Sequence, residues 1–170
     1  YGSVSWVDSS GALWLFGGYG GDKGGSLGLL NDLWKYDPGT GFWVWMKGSD
    51  TKNPTDVYGT RRKYAAANTP GGRSGAVSWT DPSGTLWLFG GKGLNSEGTQ
   101  VFHNDLWQYN PGTGFWAWMK GSTAVNQSGV YGTQGVPDDA NTPGARHLAV
   151  SWIDASGVLW LFGGSAYDST

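Results

Sequence analysis

Leu13-Trp14-Leu15-Phe16-Gly17-Gly18 returns twice in this chain, as Leu86-Trp87-Leu88-Phe89-Gly90-Gly91 and as Leu159-Trp160-Leu161-Phe162-Gly163-Gly164. The offset is 73 residues both times, and residues 1–73 lie on 74–146 without a gap, with 42 identical positions. Self-similarity at a fixed period marks an architecture assembled from repeated supersecondary units. The units are 1–73, 74–146 and a partial 147–170, all within one segment, 1–170.

Each unit reads as four short strands. The first is Val4–Asp8, followed by the turn Asp8-Ser9-Ser10-Gly11, where Asp can bond its own backbone and Gly accepts positive φ. The second is Leu13–Phe16, closed by the double glycine. After a loop come Asn31-Asp32-Leu33-Trp34-Lys35-Tyr36, the turn Asp37-Pro38-Gly39-Thr40-Gly41, and Phe42–Lys47. Strands this short, with Gly and Pro in the turns, predict an all-β fold. Leu13–Phe16 is apolar on both faces, so its sheet must be covered on both sides. Four-stranded antiparallel sheets, covered on both sides and repeated in series, are propeller blades. The expectation is therefore a β-propeller fragment of two complete blades plus half of a third.

The motifs resemble the Kelch repeat. A double glycine follows an aliphatic-aromatic strand. Then come Asn-Asp-Leu-Trp-x-Tyr-(Asp/Asn)-Pro at 31–38 and 104–111, and a Trp in the last strand. Pro70-Gly71-Gly72-Arg73 and Pro143-Gly144-Ala145-Arg146 resemble the lead-in to a Kelch blade's first strand. Kelch units run to about 50 residues, and the surplus here falls mostly in 48–72. Function is not implied, because such propellers host enzymes, binders and structural modules alike. Copper-radical oxidases on this fold need a Cys–Tyr crosslink and paired His ligands, and this chain has no cysteine. None of the catalytic residues of Kelch-type sugar mutarotases can be matched.

Composition excludes several classes. The formal net charge is -2 and only 14% of residues are charged, so no surface for nucleic acid is expected. Without cysteine there is no disulfide, thiolate metal site or cysteine nucleophile. No apolar run reaches the length of a membrane span. Tyr1-Gly2-Ser3-Val4 is neither an initiator methionine nor a signal peptide, and reads as the interior of a longer chain. All 12 Trp fall in strand positions, which points to packing rather than sugar stacking. Trp14, Trp87 and Trp160 are expected to be equivalent and mostly buried. Trp43, Trp45, Trp116 and Trp118, on the outermost strand, have room to be partly exposed.

Candidate sites follow from the geometry of a blade. Connections 1–2 and 3–4 fall on one face and are tight; connections 2–3 and 4–1 fall on the other and are long. The long connections are also where the copies differ. Binding residues ride on such loops, so a protein or carbohydrate partner is expected on 19–30, 48–72, 92–103 and 121–145. The candidates are Tyr19, Tyr58, Arg61, Lys92, His103 and Tyr131. Arg73 and Arg146, just before the innermost strands, are candidates for the central channel, with pairing to a blade Asp or to carbonyls as the competing role. The two histidines, His103 and His147, occupy non-equivalent repeat positions, so no metal site, cofactor or catalytic residue is assigned. A lone loop His is expected to face solvent. The few lysines and the abundance of Gly, Ser, Thr, Asn and Trp suggest a non-catalytic binding or structural module of a secreted or cell-surface, bacterial protein. The alternative is a fragment of a propeller enzyme, oxidase- or mutarotase-like, with its catalytic residues outside this segment. Closing a ring calls for further blades from a longer chain or from other copies.

Overall fold

The turn at Asp8–Gly11 folds the chain back so that β1 (Val4–Val7) pairs antiparallel with β2 (Leu13–Gly21), setting Trp6 opposite Trp14. The Asp8 carboxylate builds this corner. Its Oδ1 accepts from the backbone N–H groups of Ser10 and Ala12, and its Oδ2 accepts from the Trp14 indole at 2.8 Å. Asp81 and Trp87 repeat the bond at 2.8 Å, and Asp154 and Trp160 at 2.7 Å. The recurrent Asp is thus a turn former that also fixes the orientation of a Trp.

A computed structural model describes residues 1–166, and these form strands with no helix. The last four residues of the partial third unit lie outside the described residues. Blade one continues with β3 (Leu27–Asp37) and β4 (Phe42–Lys47), giving a sheet of order β1-β2-β3-β4. Blade two begins with β5 (Val77–Thr80) and β6 (Leu86–Phe89). A small hairpin follows, β7 (Lys92–Leu94) with β8 (Gln100–Phe102), before β9 (Leu106–Asn110) and β10 (Phe115–Lys120). Its four-stranded sheet has the order β10-β9-β6-β5. The half-blade supplies β11 (Arg146–His147), β12 (Val150–Ile153), β13 (Leu159–Phe162) and β14 (Ser165–Ala166). The chain is an all-β propeller fragment.

The innermost strands lie side by side. Ser78 Oγ donates to Ser5 O at 3.1 Å, and Ser151 Oγ to Ser78 O at 3.4 Å. The indoles one step further in tie sheet to sheet: Trp6 Nε1 donates to Trp87 O and Trp79 Nε1 to Trp160 O. Between blades one and two, Trp14 meets Tyr109 edge-on at 5.6 Å, and Phe16 meets Trp116 at 5.6 Å. With Leu33, Leu86, Leu88 and Trp107 they form the main core.

Two expectations need correction. The stretches 19–30 and 92–103 are not open loops but hairpins, with Gly20 opposite Gly28 and Gly93 opposite Val101. Backbone pairing needs no apolar alternation, so these Gly-rich stretches gave no strand signal. Each is closed by an Asx turn: Asp22 Oδ1 accepts from Gly24 and Ser26, and Asn95 Oδ1 from Glu97 and Thr99. Nor do the equivalent Trp share one burial. Trp14 is 2% exposed, Trp87 is half-buried and Trp160 is 48% exposed. Trp43 and Trp45 are exposed while Trp116 is buried, because only blade two has a full sheet packed on that side.

Candidate functional site

The double glycines bring the long arm between blades into position. Gly17 and Gly18 have φ of 61° and 96°, a backbone that other residues rarely adopt. The Gly18 N–H then meets Arg73 O at 2.8 Å. From there Arg73 turns its side chain into blade two, where Nη1 donates to Gly90 O at 2.9 Å. One residue thus bridges the double glycines of two successive blades. Arg146 repeats the arrangement toward blade three, accepting from Gly91 N and donating to Gly163 O.

Arg73 is the centre of a buried polar cluster. Its guanidinium takes Asp105 in a bidentate pair, at 2.7 Å to Oδ1 and 3.0 Å to Oδ2, and also bonds Asp56 Oδ1. Asp105 Oδ2 further accepts from the Tyr58 hydroxyl at 3.0 Å and from the Trp107 indole at 2.7 Å. The Tyr58 ring stacks on Trp107 at 5.1 Å and meets Trp118 edge-on at 5.4 Å. Burial alone would raise the Asp105 pKa, but the facing guanidinium and these donors outweigh it and hold it at about 2. Burial, then the Asp105 and Asp56 charges, push the Tyr58 hydroxyl far up, so it stays a donor.

His103 lies against this cluster rather than in solvent. It is 3% exposed, with Nδ1 3.9 Å from Asp56 Oδ2. The hairpin β7–β8 folds over it, and Gly93 makes the room, since a Cβ there would strike the imidazole. Burial first, and then the Arg73 charge, lower its pKa and keep it neutral. Asp56, His103 and Asp105 each offer a metal-ligand atom, all within 4.8 Å of one another. The Arg73 guanidinium already engages both carboxylates, and a divalent cation would have to sit beside that buried cation. As built, the donor set forms an ion cluster that locks blade one to blade two.

The other sequence candidates scatter. Arg73 is not a channel residue: it is wholly buried, and the acids beside it neutralise its charge. Arg146 is half-buried and, among the described residues, bonds the carbonyls of Gly144 and Gly163. Tyr58 is an interblade anchor, whereas its equivalent Tyr131 is 67% exposed. Tyr19 lies in β2 and stacks on Tyr1 at 5.3 Å. Lys92 begins β7, its backbone bridged to Ser74. Arg61 is exposed, and its Nε donates to Met119 O at 3.1 Å.

Arg61 does line a polar depression of about 320 Å³ on the long-loop face, with Asn104, Lys120, Ser122, Gln127 and Asp139. Blade one has the counterpart around Asn31, Lys47, Ser49 and Thr69, without an arginine. Asp56 and His103 went unread in the sequence as a pair, but they carried one signal: each breaks the repeat, with Gly129 and Leu30 at the equivalent positions.

No family model matches the chain. It is similar to N-acetylneuraminate epimerases of bacteria. That of Escherichia coli O139:H28 is 31% identical over 152 residues, covering 78% of this chain and 39% of that protein. That of Shigella flexneri serotype 5b is 30% identical with the same coverage. The chain therefore spans about 39% of the length of these relatives. The solved structure described as "Structure of YjhT" superposes with a TM-score of 0.58 at 20% identity, over 98% of this chain and 34% of that one. That likeness fixes the propeller fold.

Proposed function

We propose that this chain is a segment of a Kelch-type propeller enzyme that epimerises an acidic sugar, rather than a stand-alone binding or structural module. The observation that carries the reading is the 31% identity to an N-acetylneuraminate epimerase, which runs through 152 residues rather than through one blade motif. Two features support it. Asp56 and His103 break the repeat yet converge, and a scaffold repeated only for stacking has no need of such departures. Arg61 stands beside Lys120 in a depression on the long-loop face, and N-acetylneuraminate is a sugar carboxylate, an anion that Arg recognises well.

In this reading Arg61 and Lys120 hold the carboxylate while the ion cluster keeps the two blades rigid beneath them. The groups that move protons come from other blades, since Asp56 and Asp105 are committed to Arg73 and Asp139 faces Arg62 and Lys120. The test is NMR of N-acetylneuraminate anomer exchange with and without a complete propeller that contains this segment. Exchange should accelerate, and Arg61→Ala should weaken sugar binding by about tenfold, the worth of one charge-assisted contact of ~1.5 kcal/mol. Sugar binding with no acceleration would return the chain to the binding-module reading, which the gapless similarity of units 1–73 and 74–146 favours.

A further inference from the structure

Blade one carries an open copy of the receptacle that Tyr58 and Arg73 fill on blade two. On blade two the receptacle is Asp105, Trp107 and Trp118; the equivalent residues on blade one are Asp32, Trp34 and Trp45. The indole N–H groups already make the same bonds. Trp34 Nε1 donates to Asp32 Oδ2 at 2.6 Å and Trp45 Nε1 to Lys47 O at 2.8 Å, as Trp107 does to Asp105 and Trp118 to Lys120 O. The rings of Trp34 and Trp45 stand 6.4 Å apart, and with Leu30, Asp32, Lys23 and Asp50 they line a depression of about 450 Å³.

We infer that this depression is a socket for the arm of a further repeat unit, linked ahead of Tyr1. The arm would present a Tyr followed 15 residues later by an Arg, the spacing of Tyr58 to Arg73 and of Tyr131 to Arg146. The Tyr ring stacks on Trp34 and meets Trp45 edge-on, its hydroxyl donating to Asp32, and the Arg takes both Asp32 oxygens. The interface already formed between blades one and two is the template for each contact.

Two further observations specify the occupant. In the formed interface Asp56, two residues before the Tyr, faces His103. The socket has Leu30 where His103 stands, and the arm 121–145 has Gly129 where Asp56 stands. An arm of the 121–145 type, with no acid before its Tyr, therefore matches this socket, and the acid-bearing 48–72 type does not. Linkage in one chain follows from register. Arg73 runs directly into Ser74, and Tyr1 takes the place of Ser74, bridged to Tyr19 as Ser74 is to Lys92. An arm seated in the socket ends beside Tyr1 and continues into β1. An arm from a second copy would instead lead into its own innermost strand, where β1 already lies.

The experiment joins a copy of residues 74–146 ahead of Tyr1 and compares Asp32→Asn in the lengthened and the 170-residue chains by urea unfolding. The substitution should lower the midpoint clearly in the lengthened chain and hardly at all in the shorter one. Equal effects in the two chains would overturn the inference. Should the lengthened chain not fold, a synthetic peptide of residues 121–146 is titrated into the 170-residue chain by calorimetry. Binding that is lost with Tyr131→Ala in the peptide and with Asp32→Asn in the chain supports the socket. No binding, or binding indifferent to both changes, overturns it. Self-association of the 170-residue chain through Asp32 would overturn the linkage in favour of a second copy.

Discussion

Arg73 and Arg146 occupy the same repeat position, follow the same Pro-Gly, and make the same backbone bonds to the preceding double glycine. One is sealed in an ion cluster; the other is half-buried and, among the described residues, bonds two carbonyls. The difference lies in the blade that receives each side chain. Blade two brings Asp105 just ahead of its third strand, while the described part of the half-blade has no such strand to offer. In a repeat fold the burial of a residue is set by its neighbour, not by its own unit.

The largest effect is expected at this pair. Arg73→Met leaves the Asp105 carboxylate buried and unpaired, and breaking a buried pair from one side costs about 3–5 kcal/mol. Arg146→Met removes two carbonyl contacts from a half-buried side chain and should cost roughly 1 kcal/mol or less. Urea unfolding of the two variants measures the gap. Equal costs would mean that the bidentate pair is not what holds the blades together.

The blade plan was legible because Leu13–Gly18 and its two copies are local, apolar on both faces and in phase. The turn role of Asp8, Asp81 and Asp154 was legible for the same reason, since an Asp two residues before a Ser bonds its own turn. The ion cluster was not. Tyr58 meets Asp105 across 47 residues and Arg73 meets it across 32, and nothing along the sequence ties those positions. His103 resembled any polar loop residue until the hairpin above it closed. The graded burial of the tryptophans was equally hidden, because each copy carries the same letter.

That gradient provides the second test. Trp14→Ala empties a fully packed site and should cost about 3–5 kcal/mol. Trp160 is 48% exposed, so Trp160→Ala forfeits about half the apolar burial and should cost about half as much. Each indole bonds the equivalent turn carboxylate, Asp8 or Asp154, so the difference isolates packing from the hydrogen bond. A costlier change at Trp160 would show that the half-blade is covered in solution.

The smallest effect is expected at His103, which blade one replaces with Leu30. Burial and the Arg73 charge lower its pKa in the folded state, while Asp105 and Asp56 oppose them without prevailing. As pH falls below the free imidazole value of about 6.5, the unfolded chain takes up a proton that the folded chain refuses. Stability is therefore full above that value and declines as pH drops from it toward the lowered folded pKa. Asp105 acts in the same direction but in a lower window, from the ordinary carboxylate range down to about 2. His103→Leu should flatten the stability profile over roughly pH 5 to 7, the window of imidazole titration, while the acid limb, set chiefly by Arg73 beside Asp105, persists. Urea midpoints for the two chains at successive pH values read this directly. A slope that survives the substitution would show that the cluster around Arg73 does not exclude the imidazole proton.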